Sequence, residues 1–534
     1  MNYSEQCVLR ALPVRLKNNS DNAIRYYMEN GEFVEKKFSQ IHDDILIIIE
    51  KFAKLNIYCG SGDYVLIMGN PSYEWVVAAL AGFYMGKKVI AFPETLSDEE
   101  AINCLTGLHF SICFIDEKYN NYVAFEGHTK ILLSNMLTEE LELKDNYIIS
   151  EIPQPKLVAF TSGTTSALKL KAFEINTEST EHFCHSFVSI YGLSHNDTWV
   201  VSHSFTHIVH FEYILSCLGW GMNIAIVTPT YLIWNFKKLS PSVVVTVPVV
   251  YQQLATFIRA KLPKSGKRAD ELDQHFLQNI TENNGKTFLY KLLPEVKDIL
   301  GDTLKMMLIG SAPSSDELKR FLLLCGLPIF EGYGLSETNM LTCNTPNEYY
   351  FGSVGVAWPG VNLKVENKEL KVKLDFERSY GYLNADKDEQ KEVYEDTGWI
   401  NTGDVSLLKG NYVFVSGRTK DTIITDRGKN INPNPIEEKI CYGLNAAHVV
   451  LYGDNRSYII AIIALKSNQI LDNKEISDVL NDINTSISEH EKIKNYVITK
   501  DEWTIENGLV TRSGKVRRKL IWEKYRSEIE ECYE

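Results

Sequence analysis

The sequence predicts an α/β protein. A large N-terminal domain of parallel α/β sheet subdomains with a small β-rich subdomain precedes a mobile α+β C-terminal cap. Three observations carry this reading. Short apolar runs alternate with helix-length segments through most of the chain. From 360 to 415 short alternating runs and turns replace that rhythm. Beyond Arg418 a second, charge-dense strand–helix alternation begins, small enough to be its own unit, so the domains are set at 1–418 and 419–534.

The elements follow in order. Residues 1 to about 60 read as a lead-in, a helix and a turn; over 38–55, Ile41, Ile45, Ile48, Ile49, Phe52 and Leu55 recur at helical spacing. Residues 62–68 read as a turn and buried strand, 73–85 as an apolar helix that Ser72 can cap and Gly86 ends, and 88–92 as the next strand. Strand–helix–strand at this spacing is a βαβ unit and implies parallel pairing. A second unit follows, with 97–108 as helix and 110–115 as strand. Further on, 156–160 and 198–201 are strands and 179–191 is a helix. Residues 213–236 carry no charge and are long enough to raise a membrane span. Asn223, Thr228, Pro229 and Thr230 interrupt them, so two buried elements joined by a turn are expected. A buried strand over 242–248 leads into a helix, and 262–285 reads as a solvated excursion, Lys-rich at first. Strands at 306–309 and 327–330 open into loops at 310–313 and 331–334, and loops at the carboxyl ends of parallel strands are where ligands sit. In the cap, 447–451 and 458–465 are strands and 476–487 is a helix.

Composition narrows the function. The 534 residues are 44% hydrophobic and 23% charged, ordinary for a globular chain with a large core. A formal net charge of −14 argues against a nucleic-acid binder, which needs a basic face. Ten cysteines are scattered without a Cys-x-x-Cys pair, which points to a reduced, cytoplasmic compartment. No secretory signal and no transmembrane segment are read, and peripheral contact with a membrane surface stays open. His203, His207 and His210 are spaced by four and three, which would align them on one helical face. A metal set is one reading and a polar cluster on a pocket wall the other; the second is favoured because no nearby Cys completes a set.

The chemistry centres on Thr-Ser-Gly-Thr-Thr-Ser-Ala-Leu-Lys at 161–169, directly after the strand at 156–160. Hydroxyls, backbone N–H groups and a terminal Lys suit a polyphosphate, and Gly163 permits close approach. It is not a Walker loop, because no Gly precedes Lys169 and no Ser or Thr follows it. Taken alone it is equally an ordinary turn. Further blocks follow in order: Gly-Ser-Ala-Pro at 310–313, Glu-Gly-Tyr-Gly-Leu-Ser-Glu-Thr at 331–338, Trp-Ile-Asn-Thr-Gly-Asp at 399–404, Gly-Arg-Thr-Lys-Asp at 417–421 with 430–437, and 507–518 with Gly514-Lys515-Val516. Together these resemble the acyl-adenylate-forming (AMP-binding, acyl-CoA synthetase) superfamily, and most closely its long-chain fatty acyl-CoA synthetase branch. The resemblance extends over nearly the whole chain.

The resemblance implies ATP-dependent activation of a carboxylic acid, with ATP, Mg²⁺ and CoA, or a phosphopantetheine arm, as cofactors. By resemblance, Thr161, Ser162, Gly163, Thr164, Thr165 and Lys169 hold the β and γ phosphates. Ser311, Ala312 and Tyr333 form the adenine slot, within blocks that include Glu331, Gly332, Gly334 and Ser336. Asp404 and Arg418 bind the ribose, and Glu337 takes part in holding Mg²⁺. His207 borders the acyl and phosphate sites. Lys515 is the catalytic lysine and bridges the attacking carboxylate and the α-phosphate. Lys420 is the hinge about which the cap turns to serve a second half-reaction, thioester formation near Gly428.

The branch resembled points to a medium- or long-chain fatty acid, and the apolar stretch 211–250 is a candidate tunnel wall. Ser166, Leu168 and Leu170 replace the family's Gly, Pro and Gly around Lys169; Arg427 replaces a Gly near the acceptor path; and 367–370 lacks the Gly of the family's Gly-Glu-Leu. These departures keep two alternatives in view. One is transfer to an acyl carrier protein or an amine instead of CoA. The other is a catalytically weak homologue retained as a binding partner, against which the joint presence of Glu337, Asp404, Arg418 and Lys515 argues.

Overall fold

A computed structural model describes residues 9–27, 32–54, 64–138, 149, 151–152, 156–161, 170–262, 278, 292–312, 314–379, 381–383, 385–499, 501–504, 507–510 and 515–534. Two sheets with parallel cores form the large domain. The first runs, edge to edge, Thr129–Leu132, Phe110–Ile115, Tyr64–Met68, Lys88–Ala91, Lys156–Thr161 and Lys171–Asn176. All its pairings are parallel except the last, where Thr161 lies opposite Lys171. The second has nine strands. Its centre is parallel: Ile329–Leu335, Met306–Ile309, Val243–Thr246, Thr198–Val201, Asn223–Ile226 and Ala23–Tyr27. Antiparallel strands close both edges, Asn339–Cys343 with Val356–Ala357 at one and Phe33–Lys37 at the other.

Local chemistry explains the elements. The helix Tyr73–Tyr84 starts where the Ser72 hydroxyl accepts from the Trp75 N–H, and it is buried on every side between the sheets. Such an all-round apolar helix must be interior. Ser97 and Glu100 form a reciprocal cap that starts Asp98–Leu105. The charge-free stretch resolves into the helix Val209–Trp220, the strand Asn223–Ile226 and the helix Pro229–Trp234, with Gly221 in the left-handed region ending the first. No described helix is long and apolar enough to cross a membrane. The stretch 211–250 also packs as core rather than as a tunnel wall over its first helix, where Phe211 meets Trp75 edge-on at 4.8 Å between ring centroids.

A four-stranded antiparallel sheet (Val361–Glu366, Glu369–Leu374, Ile400–Lys409, Tyr412–Arg418) forms the β-rich part. After it come a short helical turn, Thr419–Asp421, and a three-stranded sheet, His448–Tyr452, Ile459–Ala464 and Ile493–Thr499. Apolar clusters built only from residues beyond 420 pack both faces of that sheet, while the other two clusters use only earlier residues.

Two expectations change. Glu331–Gly334 is not a loop: the strand runs on to Leu335, because Gly332, Tyr333 and Gly334 pair with Asn339–Cys343. The three histidines do not share a helical face. His203 and His207 precede the helix Val209–Trp220 in a turn, and only His210 lies on it. The excursion at 262–285 lies, apart from Leu262 and Gln278, outside the described residues.

Candidate active site

The strand register creates the first part of the site. Asp404 and Arg418 are direct cross-strand partners. Arg418 Nε donates to Asp404 Oδ1 at 2.9 Å, and the Tyr333 hydroxyl donates to Oδ2 at 2.5 Å. Burial pushes the Asp404 carboxyl up, while Arg418, Tyr333 and Lys515 pull the other way. Each carboxylate oxygen retains lone-pair capacity beyond one bond, so sugar hydroxyls can still be accepted. Tyr333 is fixed on its strand, and Ser311 and Ala312 follow the adjacent strand Met306–Ile309. The two backbones touch here: a Cβ on Gly310 would sit 2.7 Å from the Gly332 carbonyl oxygen, so a side chain is excluded. Ser311 takes φ 65°, a left-handed conformation unusual for a residue with a side chain.

The second part lies past the strand Lys88–Ala91. Glu94 Oε2 accepts from Thr206 Oγ1 at 3.0 Å. The neighbouring His207 keeps accessible surface, yet desolvation by the protein around its ring holds the imidazole below its usual range; Glu94 opposes this and Lys515 reinforces it. His203 bonds Thr246 Oγ1 at 2.5 Å, and burial takes its pKa down to about 4. His210 is buried, and its Nδ1 has no hydrogen-bond partner among the described residues. No three His, Cys, Asp or Glu side chains group to hold a metal ion among the described residues.

Lys515 comes from the far end of the chain. It precedes Val516, which bridges Val510, and the Arg517 N–H bonds the Leu509 carbonyl at 2.8 Å. Its side chain keeps accessible surface, yet protein surrounds the ammonium closely enough that desolvation is the largest influence on it. Its pKa is held down by that desolvation and then by Arg418, against Asp404 and Asp421. The C-terminal domain therefore brings a lysine within electrostatic reach of Asp404, Arg418 and His207.

Glu337 forms the third part, at the tip of the hairpin between Ile329–Leu335 and Asn339–Cys343. Its Oε1 accepts from the Tyr382 hydroxyl at 2.7 Å. Lys171 lies 4.9 Å over the Tyr382 ring, and Tyr382 bridges Phe173. The carboxylate thus stands beside the strand pair that flanks 162–169. Ser162, Gly163, Thr164, Thr165 and Lys169 themselves lie outside the described residues. The Glu331 side chain faces elsewhere: it takes Lys319 Nζ at 2.8 Å and the Ser314 hydroxyl at 3.3 Å. Lys420 pairs with Glu392 at 3.1 Å on the surface.

Sequence reasoning missed four residues. Glu94 follows a strand end, which is a usable signal. Glu212 is the one acid in an otherwise apolar helix, a charge that needs a partner. That partner, Arg378, and the Glu337 partner Tyr382 lie in an irregular stretch with no periodicity to mark them.

Comparisons with known proteins bear on the family and the fold. The family model of AMP-binding enzymes matches residues 39–383, and that of the AMP-binding enzyme C-terminal domain matches 420–534. Long-chain-fatty-acid–CoA ligase FadD15 of Mycobacterium bovis is 23% identical over 539 residues, covering 89% of this chain and 88% of that protein. Long-chain-fatty-acid–CoA ligase ACSBG1 of Rattus norvegicus is 26% identical over 490 residues, 81% and 68% of the two chains. Among solved structures, o-succinylbenzoate CoA synthetase (MenE) of Bacillus subtilis with its acyl-adenylate intermediate superimposes with a TM-score of 0.75 at 17% identity, covering 96% of this chain and 98% of that one. The anthranilate CoA ligase AuaEII with anthranoyl-AMP gives 0.75 at 14% identity over 98% and 99%. With a mixed α/β large domain, a small C-terminal domain and both family models matched along its length, this chain belongs to the AMP-binding enzymes, the acyl-adenylate-forming ligase family.

Proposed function

We propose that this protein activates a medium- or long-chain fatty acid as its acyl-adenylate and passes the acyl group to CoA. The observation that carries this is the placement of Lys515 against Asp404, Arg418 and His207. A carboxylate is a poor acyl donor because oxide would have to leave. Its oxygen attacks the α-phosphorus of ATP, the α–β P–O bond breaks, and pyrophosphate leaves. That step needs charge neutralisation more than proton transfer. The Lys515 ammonium supplies it where charge gathers on the α-phosphate and the attacking carboxylate. Asp404 and Arg418 orient the sugar, and the slot of Ser311, Ala312 and Tyr333 takes the base. The surrounding protein desolvates the His207 imidazole and holds its pKa below the usual range, which disfavours a competing cation beside the carboxylate.

Magnesium fits the donor chemistry at Glu337. A single carboxylate beside a phosphate-binding loop suits a hard cation that keeps several waters and shares its remaining ligands with phosphates. When bound, the ion would neutralise the departing pyrophosphate. In the second half-reaction the CoA sulfur attacks the acyl carbonyl and AMP leaves, after the cap has turned about Lys420.

The fatty-acid assignment rests on the curated relatives and on the block resemblance. One observation favours a second reading: the wall beside His207 is polar, with His203 bonded to Thr246 and His210 Nδ1 unpartnered. An acid carrying a hydrogen-bonding group near its carboxylate would satisfy that wall. The test is acid-dependent exchange of labelled pyrophosphate into ATP across fatty, hydroxy and aryl acids, followed by addition of CoA. Exchange with fatty acids and thioester on adding CoA supports the main reading. Exchange restricted to polar acids moves the substrate to the second. Exchange without thioester moves the acceptor to a carrier protein or amine. Lys515→Ala is expected to reduce exchange by about 10²–10³-fold, the scale of one lost transition-state donor.

A further inference from the structure

We infer that the buried Arg378–Glu212 ion pair is the positioning element for the Glu337 carboxylate, and so sets how tightly the nucleotide-bound divalent cation is held. This rests on Glu337 being a metal-binding residue. The pair is bidentate: Arg378 Nη1 meets Glu212 Oε1 at 2.8 Å and Nη2 meets Oε2 at 3.0 Å. The two side chains are only 1% and 0% exposed.

What the pair does beyond neutralising itself is grip the Glu337 turn from both flanks. On one side Arg378 Nε and Nη2 donate to the Ser336 carbonyl at 3.3 and 3.1 Å. On the other, Asn339 Nδ2 donates to Glu212 Oε2 at 3.1 Å, and Asn339 holds φ 63°. The residue before Glu337 and the second residue after it are therefore tied to one buried group. Thr180 Oγ1 donates to Glu212 Oε1 at 2.7 Å and Arg378 Nη1 donates to Ser179 Oγ at 3.2 Å, so the pair is anchored to a third element, the helix Thr177–Tyr191. Tyr382, four residues beyond Arg378 in the chain, holds the Glu337 carboxylate directly.

Stability alone gives little reason for such a pair. Well-packed apolar residues of similar volume often do as well in a core or better. Apolar residues cannot donate to a carbonyl and accept from an amide on opposite sides of one turn. Glu212 also lies on the helix that begins just after His207, so the pair holds the carboxylate of one part of the site in fixed relation to the imidazole of another. Partners that orient a metal ligand in this way typically govern metal affinity by about 10–100-fold.

The test is an EPR titration of Mn²⁺ into the protein–ATP complex with no acid present, so that turnover does not enter. Arg378→Met combined with Glu212→Gln removes both charges, keeps one acceptor oxygen for Asn339 while the new amide nitrogen can donate to the Thr180 hydroxyl, and strips the donors from Ser336. Arg378→Lys keeps the charge and loses the fork, and it carries the test if the double variant does not fold. Mn²⁺ affinity is expected to fall about tenfold in the double variant and about threefold in Arg378→Lys. ATP affinity measured without metal should hold. Unchanged Mn²⁺ affinity in the folded variants overturns the proposal, as does an equal loss of metal-free ATP binding, which marks general disorder. Glu337→Gln separates the two layers. If it leaves Mn²⁺ affinity intact, the metal role of Glu337 falls and the proposal with it. If it weakens Mn²⁺ while the Arg378 variants do not, only the positioning role falls.

Discussion

Arg378–Glu212 and Lys420–Glu392 are both cation–carboxylate pairs in the large domain and its junction, and they could hardly differ more in setting. The first is 1% and 0% exposed and bidentate; the second is 59% and 62% exposed and makes a single contact of 3.1 Å. In the interior each charge relies on the other for neutralisation, and losing one partner leaves the other as a buried charge. At the surface water competes for both, and the pair forms and breaks at little cost. The difference teaches where this protein is built to stay still and where it can move: the Glu337 turn is tied into the core, and the segment proposed as the pivot is fastened by a contact that releases easily.

Three changes sharpen or break that contrast. Glu212→Ala should act most strongly. It leaves Arg378 buried and unpaired, and about 3–5 kcal/mol of stability should be lost. Urea unfolding followed through the large-domain tryptophans reads this as a lower midpoint at unchanged slope; a midpoint near wild type would mean water or a neighbour replaces the carboxylate.

The next effect is a pH dependence at the junction. Glu438, in the C-terminal domain, faces Lys319, Asp316 and Glu331 of the large domain, and burial pushes its carboxyl up to about 7. With the cap turned away, the carboxyl returns toward its ordinary value. Between those two values the observed arrangement binds more protons, so rising pH through that window should favour release of the cap. Glu438 keeps accessible surface, which limits the effect to about threefold between pH 5 and 8. Fluorescence energy transfer between labels on the two domains should show this drift in wild type and a flat profile in Glu438→Gln. A drift surviving in the variant assigns it to another group. Lys515 works in the opposite sense: its pKa is held down here, so deprotonation on the alkaline side favours the observed arrangement while removing the charge needed for adenylation.

Lys420→Ala should matter least. No measurable change in unfolding midpoint is expected, because exposed pairs contribute about 0–1 kcal/mol. A clear loss of stability would show that this contact carries structural weight after all.

Much of the fold was legible because its signals are local. The Ser72 cap, the Ser97–Glu100 box and the apolar runs at 64–68, 88–91 and 198–201 each declare themselves within a few residues. The Ala23–Tyr27 strand was not legible, since its place in the sheet is set by pairing with Asn223–Ile226, about 200 residues away. Gly-Tyr-Gly at 332–334 has the composition of a turn, and only the hairpin partner at Asn339–Cys343 makes it a strand. The site divides the same way. The blocks containing Tyr333, Asp404, Arg418 and Lys515 could be picked out as motifs, and the structure gathers those residues. The Arg378–Glu212 pair offered no motif, because half of it is a lone arginine in an irregular stretch.

That pair also bears on how the chain is made. Its two members are 166 residues apart. At synthesis rates of about 5–20 residues per second, Glu212 leaves the ribosome roughly 10–30 s before Arg378. Through that interval the helix Val209–Trp220 carries a charge without its counter-ion on a surface meant for the interior, so it cannot settle against the sheet. The nascent large domain should therefore stay open until the β-rich segment has emerged, exposing apolar strands in the meantime, and its dependence on chaperones during synthesis should exceed what its finished stability suggests.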